Sequence, residues 1–543
     1  MLTESNNGTG FVRDMISFVK KHKYVVIALL VFSFIVYGSM VFYPSLSIDE
    51  EVSLNLTGVT RWMTQGRFGI SLLDFFLTQN SGRFTPFLWE LLGVLLWGIA
   101  ALIGGYNVSR LSRKRTAPFQ LFAFCAVYIS VPFVSGELLS FSMFAVEVAL
   151  GLIAAETAAA LTYACFRGEK KRLLLVSLAL LLFAASVYQA IVTVYIIYIV
   201  LYGFFCFARR EKTETNVRPK EVYQNVGLGA LIACGSTAIY FGINALINHF
   251  FAADSGYLSD NYIGWGKGDG LLREAFMAFA NVVRILFGIT IEDAVVYGGA
   301  VIGVTTVIFL LVSLYFFIKT DKKLHFLLFA AVAAVSPFVM TVLLGIYRTP
   351  GRMYPALPVL MAAAWYLLLG MDGKKFARVL ASAACICVLF LQAQYTNKLS
   401  YSNYLSFTND TATANHLIYD IEKLEPAYAE KPFVFIGARR YERNQDVMPY
   451  IRGTVHGVSF FEHDDGSNSR MVKFMNGIGF QVLMPTKSQM ETGLARSGDM
   501  PSWPADGSVL VLDDMIVIKL SAPSKQWYDT NGMKAAPAAL PPA

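Results

Sequence analysis

Long apolar runs constrain this chain more than any other feature of its sequence. An α-helix needs about 20 apolar residues to cross the roughly 30 Å of hydrocarbon in a bilayer. The sequence contains about eleven runs of that order: 24–43, 84–108, 119–135, 139–166, 173–188, 190–208, 224–247, 293–318, 324–345, 355–371 and 376–394. Hydrophobic residues make up 55% of the chain and charged residues only 15%, which excludes an ordinary soluble multidomain protein. We therefore predict an all-α polytopic membrane protein.

Two pairs of runs, 119–166 and 173–208, leave an alternative open. Each pair must turn tightly on the outer side, at Ser135-Gly136-Glu137 and at Tyr188-Gln189, because basic residues flank it on the opposite side. Each pair is therefore either two crossings or a re-entrant hairpin.

The distribution of Lys and Arg predicts which loops face the cytoplasm, since short cytoplasmic loops carry an excess of these residues. Basic clusters occupy every second loop: Lys20/Lys21/Lys23, Arg110/Arg113/Lys114/Arg115, Arg167/Lys170/Lys171/Arg172, Arg209/Arg210/Lys212, Lys319/Lys322/Lys323 and Lys374/Lys375/Arg378. We therefore place the N-terminal segment 1–23 in the cytoplasm. The loops 44–83, 248–292 and 346–354 and everything after about residue 395 are predicted to lie outside. The first run lacks a small-residue cleavage site and is predicted to remain as a signal anchor.

The same distribution argues against two kinds of partner. The net charge of +7 is spread over short loops as an orientation signal, so no nucleic-acid partner is expected. All six cysteines fall inside hydrophobic segments, so neither structural disulfides nor a zinc site is expected.

The composition becomes polar after about residue 395. Short β-like runs and helical patterns then alternate. The β-like runs are 432–437, 480–484, 509–512 and 515–520, and the helical patterns lie around 411–425, 469–478 and 487–496. We predict a membrane domain over 24–394, a small extracytoplasmic α/β domain over 395–534, and a disordered Ala/Pro-rich tail at 535–543.

Three consecutive carboxylates, Asp49, Glu50 and Glu51, follow the first predicted helix. A carboxylate held in fixed geometry can act as a general base for an attacking hydroxyl if it lies within hydrogen-bond reach of the proton. A solvated acidic loop explains the same residues equally well. On the catalytic interpretation, Asp49 and Glu50 are the candidates.

The same outer loop carries Trp62, Arg67 and Arg83. Arginine binds phosphate through paired, charge-assisted hydrogen bonds, and an aromatic face beside such a site can stack on a sugar ring. We predict Arg67 and Arg83 as phosphate ligands and Trp62 as a substrate-cavity residue. Contact with lipid headgroups is the alternative for the arginines. The apolar stretch 68–77 predicts a helix in the membrane interface.

A second outer loop, 347–355, is stiffened by two prolines and contains Arg348 and Arg352. Restricted chain freedom lowers the entropy that an arginine loses when it binds phosphate. We favour Arg352 as a phosphate ligand because it lies closer to the following helix, with Tyr354 in support. Arg348 is predicted as a cavity residue.

Glu90, Glu147 and Glu156 lie in otherwise apolar helices, where a charge costs about 2.5–3.5 kcal/mol on insertion scales. Glu147 lies close enough to the outer end of its helix to be either a cavity-floor residue or a packing residue. Glu90 and Glu156 are interpreted as paired or protonated packing residues. The outer loop 248–292 is interpreted as a connector, with a loop that orders over a carbohydrate as the alternative.

Several short motifs are spread over nearly the whole chain. They are Ser47-Ile48-Asp49-Glu50-Glu51, Trp62 with Gly66-Arg67, Val187-Tyr188-Gln189-Ala190, the loop 347–355, Gly479-Phe480, Met500-Pro501-Ser502-Trp503-Pro504 and Asp513-Asp514-Met515-Ile516-Val517. Together they resemble the bacterial membrane glucosyltransferases that modify O-antigen and related surface polysaccharides. That family lies within the GT-C superfamily of glycosyltransferases, which use polyprenyl-phosphate-linked sugars.

The resemblance implies an inverting transfer of a sugar, typically glucose, from undecaprenyl phosphate to a polysaccharide acceptor on the outer face of the bacterial cytoplasmic membrane. It implies that the first outer loop supplies the base, hence Asp49 with Glu50 beside it, and it adds Gln189 as a cavity residue. This chain has Asp-Glu-Glu where the family more usually has an Asp-Asp pair, which leaves open which carboxylate is the base. No cofactor is firmly predicted, although Asp49 and Glu50 could hold a divalent cation.

The alternative function is a carrier or flippase that moves a lipid-linked saccharide without making a bond. Alternating access commonly uses two similar halves, and the sequence shows no internal repeat. We therefore favour the enzyme.

Overall fold

The structure is a computed structural model, which describes residues 10–54, 61–77, 85–112, 116–208, 218–251, 263–267, 270–291, 294–345, 350–444 and 455–534. The chain divides into two compact units. The helical unit comprises Met1–Phe42, Gly58–Lys398 and Ile451–Gly453. The mixed unit comprises Tyr43–Thr57, Leu399–Tyr450 and Thr454–Ala543.

The described α-helices and β-strands have the following bounds. The helices are α1 (Gly10–Lys21), α2 (Lys23–Phe42), α3 (Glu50–Leu54), α4 (Arg61–Thr64), α5 (Phe68–Leu77), α6 (Leu88–Ser112), α7 (Pro118–Ser130), α8 (Glu137–Ser140), α9 (Ser142–Phe166), α10 (Arg172–Val187), α11 (Val192–Phe207), α12 (Pro219–Phe251), α13 (Leu271–Leu286), α14 (Gly299–Lys319), α15 (Lys323–Val335), α16 (Val339–Leu344), α17 (Leu357–Leu369), α18 (Lys375–Leu424), α19 (Asn468–Gly477), α20 (Lys487–Arg496) and α21 (Lys525–Thr530). The strands are β1 (Phe433–Ile436), β2 (Val509–Val511) and β3 (Ile516–Lys519).

Among the described residues, 8 helices are long and apolar enough to cross a membrane. They are Lys23–Phe42, Leu88–Ser112, Ser142–Phe166, Gln189–Phe207, Pro219–Phe251, Gly299–Lys319, Lys323–Leu344 and Lys375–Leu424. A further pair, Pro118–Ser130 and Pro132–Ser140, is bent by 44° and is either a broken span or a re-entrant loop. The helices α10 and α17 are apolar but shorter. Each predicted apolar run coincides with one of these helices, which fit a multi-pass membrane protein.

Small residues let helices of this unit approach closely. A Cβ added at Gly151 of α9 would lie 2.8 Å from Cδ1 of Ile191. A Cβ added at Gly104 of α6 would lie 2.5 Å from the hydroxyl oxygen of Tyr198. Packing of this kind is typical of membrane helices, whose association is not driven by exclusion of water.

Glu156 is fully buried between these helices, where a paired or protonated packing residue is predicted, and it is hydrogen-bonded. Its two carboxylate oxygens accept hydrogen bonds from Asn107 Nδ2 over 3.2 Å and from the Tyr198 hydroxyl over 3.1 Å. Polar groups at membrane depth need such partners, because no water is present there to replace them.

Part of the predicted connector 248–292 is helical. Helix α12 continues to Phe251, and α13 buries Ala278, Val282 and Ile285 along one side. These positions are separated by four and three residues, so they lie on one face of a helix. The connector prediction overlooked this pattern.

The mixed unit contains a three-stranded sheet in the order β1-β3-β2. Strands β1 and β3 are parallel, with Phe433 opposite Ile516, and β2 is antiparallel to β3. The predicted β run at 480–484 forms only an isolated bridge from Leu483 to Pro432. Proline has no backbone N–H to donate, which limits how far a ladder can extend from that bridge.

Helix α18 spans 50 residues and merges two elements that the sequence predicts separately, the apolar run 376–394 and the helical pattern around 411–425. The polar stretch between them contains neither glycine nor proline, so nothing in it interrupts the helix. The helix ends at Leu424, shortly before Pro426, and residues before a proline disfavour the helical conformation.

Candidate active site

Asp49 lies in the turn immediately before α3, in the mixed unit. Its φ of 81° is in the left-handed region, which aspartate tolerates better than most residues do. The Glu50 carboxylate closes the same turn, because its Oε2 accepts a hydrogen bond from the Ser47 N–H over 2.7 Å. The Glu50 carboxylate is therefore bonded within its own turn, whereas the Asp49 carboxylate is not used to close it.

The three consecutive carboxylates differ strongly in exposure. The Asp49 side chain is 50% exposed, whereas Glu50 is 1% exposed and Glu51 is fully buried. Of the three, Asp49 is the one whose carboxylate a hydroxyl in solution can approach without rearrangement of the turn.

Arg470 of α19 binds two of these carboxylates, those of Asp49 and Glu51, and also binds the carboxylate of Asp464. Its Nη2 donates to Asp49 Oδ1 over 3.0 Å, and its Nη1 donates to Glu51 Oε1 over 2.6 Å. Its Nε donates to Asp464 Oδ2 over 2.8 Å. One planar guanidinium thus uses both of its terminal nitrogens and its Nε, the donor geometry that distinguishes arginine from lysine.

Packing of α19 against α3 brings Arg470 to this position. Gly477 lies two turns beyond Arg470 on the same face, and a Cβ there would lie 2.8 Å from Cδ1 of Leu54. Phe474 of α19 is buried and stacks on Phe460, with 4.4 Å between the ring centroids. The helix is therefore anchored at more than one point along its length.

The charges in this cluster influence one another. Burial raises the pKa of Glu51, and the Arg470 guanidinium opposes that rise. Burial alone would lower the pKa of Arg470, but the carboxylates of Glu51, Asp49 and Asp464 raise it. Burial also lowers the pKa of the neighbouring His463. Arg470 is therefore the fixed positive charge of this cluster.

Three other predicted residues, Trp62, Arg67 and Gln189, come together in the helical unit. The guanidinium carbon of Arg67 lies 5.9 Å from the centroid of the Trp62 ring and 5.0 Å from that of Tyr188. Gln189 donates from Nε2 to the carbonyl oxygen of Gln65 over 3.1 Å. A flat guanidinium over aromatic faces is a preferred arrangement for arginine.

Tyr240 of α12 holds the loop that carries Arg67. Its hydroxyl donates to the Gly66 carbonyl oxygen over 2.8 Å and accepts from Gln189 Nε2 over 2.8 Å. Gly66 has a φ of 69°, and a Cβ there would lie 2.4 Å from the Tyr240 hydroxyl oxygen. Both the backbone conformation and the available space therefore require glycine.

Arg352 forms an ion pair with Glu137 in the helical unit. Its Nη1 lies 2.6 Å from Glu137 Oε1, and its guanidinium carbon lies 5.3 Å from the centroid of the Phe141 ring. Tyr354 is fully buried, and its hydroxyl is 2.8 Å from Thr341 Oγ1. Arg352 and Tyr354 are two positions apart in the chain, but Arg352 pairs with a carboxylate whereas the Tyr354 hydroxyl lies beside another hydroxyl.

Three predicted residues remain to be placed. Glu147 is fully buried on α9. Arg83 and Arg348 lie outside the described residues. In the part of the chain that the structure describes, no group of three His, Cys, Asp or Glu residues could hold a metal ion.

Sequence reasoning missed Arg470, Tyr240 and the pairing of Glu137. Each contacts its partner across a large sequence separation, 421 positions in the pair of Arg470 with Asp49. The sequence predicts the helix that carries Arg470 but contains no local pattern that connects it to the acidic loop.

Comparison with known families gives a match over much of the chain. The model of a family described as "Glucosyl transferase GtrII" matches residues 38–369. No curated protein matches the chain. The family match covers Asp49, Trp62, Arg67, Gln189 and Arg352 but ends before Arg470.

Proposed function

The chain belongs to the GtrII glucosyl transferase family, and from this premise we propose that it transfers glucose from a polyprenyl-phosphate donor to a surface polysaccharide such as O-antigen. The observation that carries this proposal is the family match across residues 38–369, which supports a glycosyltransferase. The apolar helices are consistent with a donor held in the membrane.

The proposed reaction inverts the anomeric carbon and needs one base. The acceptor hydroxyl oxygen attacks that carbon while the bond to the donor phosphate oxygen breaks, and the bonding electrons leave with the phosphate. A carboxylate takes the hydroxyl proton. We assign this role to Asp49 ahead of Glu50, because Asp49 is half-exposed whereas Glu50 is buried and accepts from the Ser47 N–H.

Charge that develops on the leaving phosphate is stabilised by arginines. The proposed phosphate ligands are Arg67, Arg83, Arg352 and Tyr354, and the proposed cavity residues are Trp62, Glu147, Gln189 and Arg348. The position of the Arg67 guanidinium over two aromatic rings supports its assignment, since these contacts restrict the side chain before a ligand binds.

The proposed location is the bacterial cytoplasmic membrane, with the N-terminus in the cytoplasm and the C-terminal region outside. The basic clusters in alternate loops support this orientation. Fusions of the full chain to alkaline phosphatase and to green fluorescent protein at the C-terminus test it. Phosphatase activity with a dark fluorescent fusion is expected, and the reverse result would exclude the orientation.

A matched pair of variants tests the base. The purified full-length protein is supplied with undecaprenyl-phosphate-glucose and acceptor polysaccharide, and release of undecaprenyl phosphate is measured. We expect Asp49→Asn to lower kcat by about 100-fold or more, as loss of a general base does. Glu50→Gln keeps an oxygen that accepts from Ser47 and should retain most of the activity.

Two outcomes would contradict the proposal. Transfer by Asp49→Asn at the wild-type rate would remove the base assignment. If the wild-type protein moved the glucosylated lipid across a vesicle membrane without releasing undecaprenyl phosphate, the protein would be a flippase instead.

A further inference from the structure

Arg470 lies beyond the matched range 38–369 and contacts the proposed base directly. It lies on α19, within the same compact unit as Asp49. The contact therefore connects the C-terminal region with the acidic turn that precedes α3.

Three carboxylates surround the Arg470 guanidinium. Arg470 donates to Asp49, Glu51 and Asp464 at distances between 2.6 and 3.0 Å. Two other arginines of the mixed unit also form ion pairs, Arg440 with Asp465 and Arg443 with Glu462. The Arg470 side chain is only 18% exposed, so water competes weakly for its hydrogen bonds.

The three contacts do not all serve the same purpose. Glu51 is fully buried and needs a counter-charge, which is a structural requirement. Asp49 is half-exposed and does not need a partner for solvation. The bond from Nη2 to Asp49 instead removes freedom from a side chain that would otherwise explore several rotamers in solvent.

The backbone at Asp49 makes this restriction more important. A φ of 81° is uncommon for a residue other than glycine, and such conformations persist where surrounding contacts hold them. Arg470 fixes the Asp49 carboxylate on one side while the Glu50 bond to Ser47 closes the turn on the other.

We propose that Arg470 is a positioning residue for the transfer reaction, and that it holds the Asp49 carboxylate in the orientation in which it accepts the acceptor's proton. The C-terminal region thereby contributes to the catalytic step through a residue beyond the family match. This inference rests on the proposed function, because it requires Asp49 to be the base.

The test uses four variants of the full-length protein in the undecaprenyl-phosphate-glucose assay: Arg470→Met, Arg470→Lys, Arg440→Met and Asp49→Asn. Each is measured for kcat, for KM of the lipid donor and for melting temperature. Arg440 is the matched control, because it is 70% exposed, pairs with Asp465 and belongs to the same unit.

A positioning role changes kcat rather than donor binding. We expect Arg470→Met to lower kcat by about 100-fold, the loss that misplacing a reacting group by 1 Å can cause. The KM of the donor should stay within about twofold, because Arg470 is not proposed to touch the phosphate. Arg470→Lys restores the charge without the planar fork and should recover part of the loss. Arg440→Met should match the wild type.

The results separate this inference from the proposed function. If Asp49→Asn is inactive while folded Arg470→Met keeps the wild-type kcat, the positioning role is wrong and the base assignment stands. If Asp49→Asn is active, the proposed base is wrong. If Arg470→Met does not fold, the folded Arg470→Lys variant decides: a wild-type kcat overturns the inference, and a lowered kcat with an unchanged KM supports it.

Discussion

Arg352 donates a hydrogen bond from Nη1 to Oε1 of Glu137 over 2.6 Å, although 215 positions separate the two residues in the chain. The Glu137 side chain is 5% exposed and the Arg352 side chain 21% exposed. Removing one partner of a largely buried ion pair costs about 3 kcal/mol in free energy of unfolding. The pair therefore allows the stability role of Arg352 to be separated from its proposed role at the phosphate.

The first prediction compares Arg352→Met with Glu137→Gln. Both variants break the same ion pair, so both should lower the melting temperature by similar amounts. Only Arg352→Met removes a cation, and it should lower kcat/KM for undecaprenyl-phosphate-glucose by a further factor of about 100. Equal kcat/KM values in the two variants would count against the phosphate contact. Full activity in Arg352→Lys would count against a planar, bidentate contact.

Arg67 provides the second prediction. Lysine keeps the positive charge but cannot stack a flat guanidinium on the rings of Trp62 and Tyr188, so Arg67→Lys should lower kcat/KM about tenfold. Arg110→Lys is the control, since Arg110 lies over the Tyr106 ring at 5.2 Å but has no proposed role in transfer. A similar loss in both variants would mean that the effect is one of general packing.

Gly66 gives the third prediction. Gly66→Ala introduces a Cβ 2.4 Å from the Tyr240 hydroxyl oxygen and leaves a φ of 69° that alanine disfavours by about 1–2 kcal/mol. We expect a lower melting temperature and reduced transfer, because the loop that carries Arg67 must move. Gly242→Ala on the same helix as Tyr240 meets no atom within 4 Å and should be neutral or slightly stabilising. A Gly66→Ala protein with wild-type melting and activity would show that this loop adapts easily.

The positions of the membrane helices could be predicted from the sequence, because apolar runs of the required length have few alternatives in a bilayer. The strands at β1, β2 and β3 could also be predicted, since short β-branched and aromatic runs mark them. The contacts of Glu137 and Arg470 could not be predicted from the sequence. An arginine on a predicted helix has no local signal for its partner, which depends on how distant segments pack.

For the candidate site too, the sequence predicts some properties and leaves others open. Residue type and loop position predict Asp49, Arg67 and Arg352 as site residues, but they do not predict how exposed these side chains are or which partners they have, because both depend on packing. Half-exposed Asp49 has a backbone φ of 81°, whereas buried Glu50 accepts a hydrogen bond from the Ser47 N–H, and the composition of the loop encodes neither feature.

Asp410 provides the last prediction, a pH dependence of stability in the mixed unit. It lies on α18 beyond the predicted membrane run, and it is fully buried. Its carboxylate accepts hydrogen bonds from Ser459 Oγ, the Tyr441 hydroxyl and the Phe460 N–H at 2.6, 2.8 and 2.6 Å. Burial raises the pKa of Asp410 from 3.8 to about 7, and these three hydrogen bonds together with the charge of Arg443 only partly oppose the rise.

The direction of the effect follows from that raised pKa. A carboxyl with a higher pKa in the folded state contributes stability that is complete below pH 3.8 and is lost as the pH rises through about 7. The free energy of unfolding should therefore fall by about 3 kcal/mol between pH 5 and pH 8 from this group alone. Thermal unfolding of the full-length protein across that pH range measures this change.

Two variants provide the controls. The asparagine in Asp410→Asn cannot ionise, so this variant should show a flatter dependence of stability on pH between pH 5 and pH 8. Asp506→Asn, at an exposed position, should leave the profile unchanged. If the wild type and Asp410→Asn have parallel profiles, Asp410 does not titrate in this range.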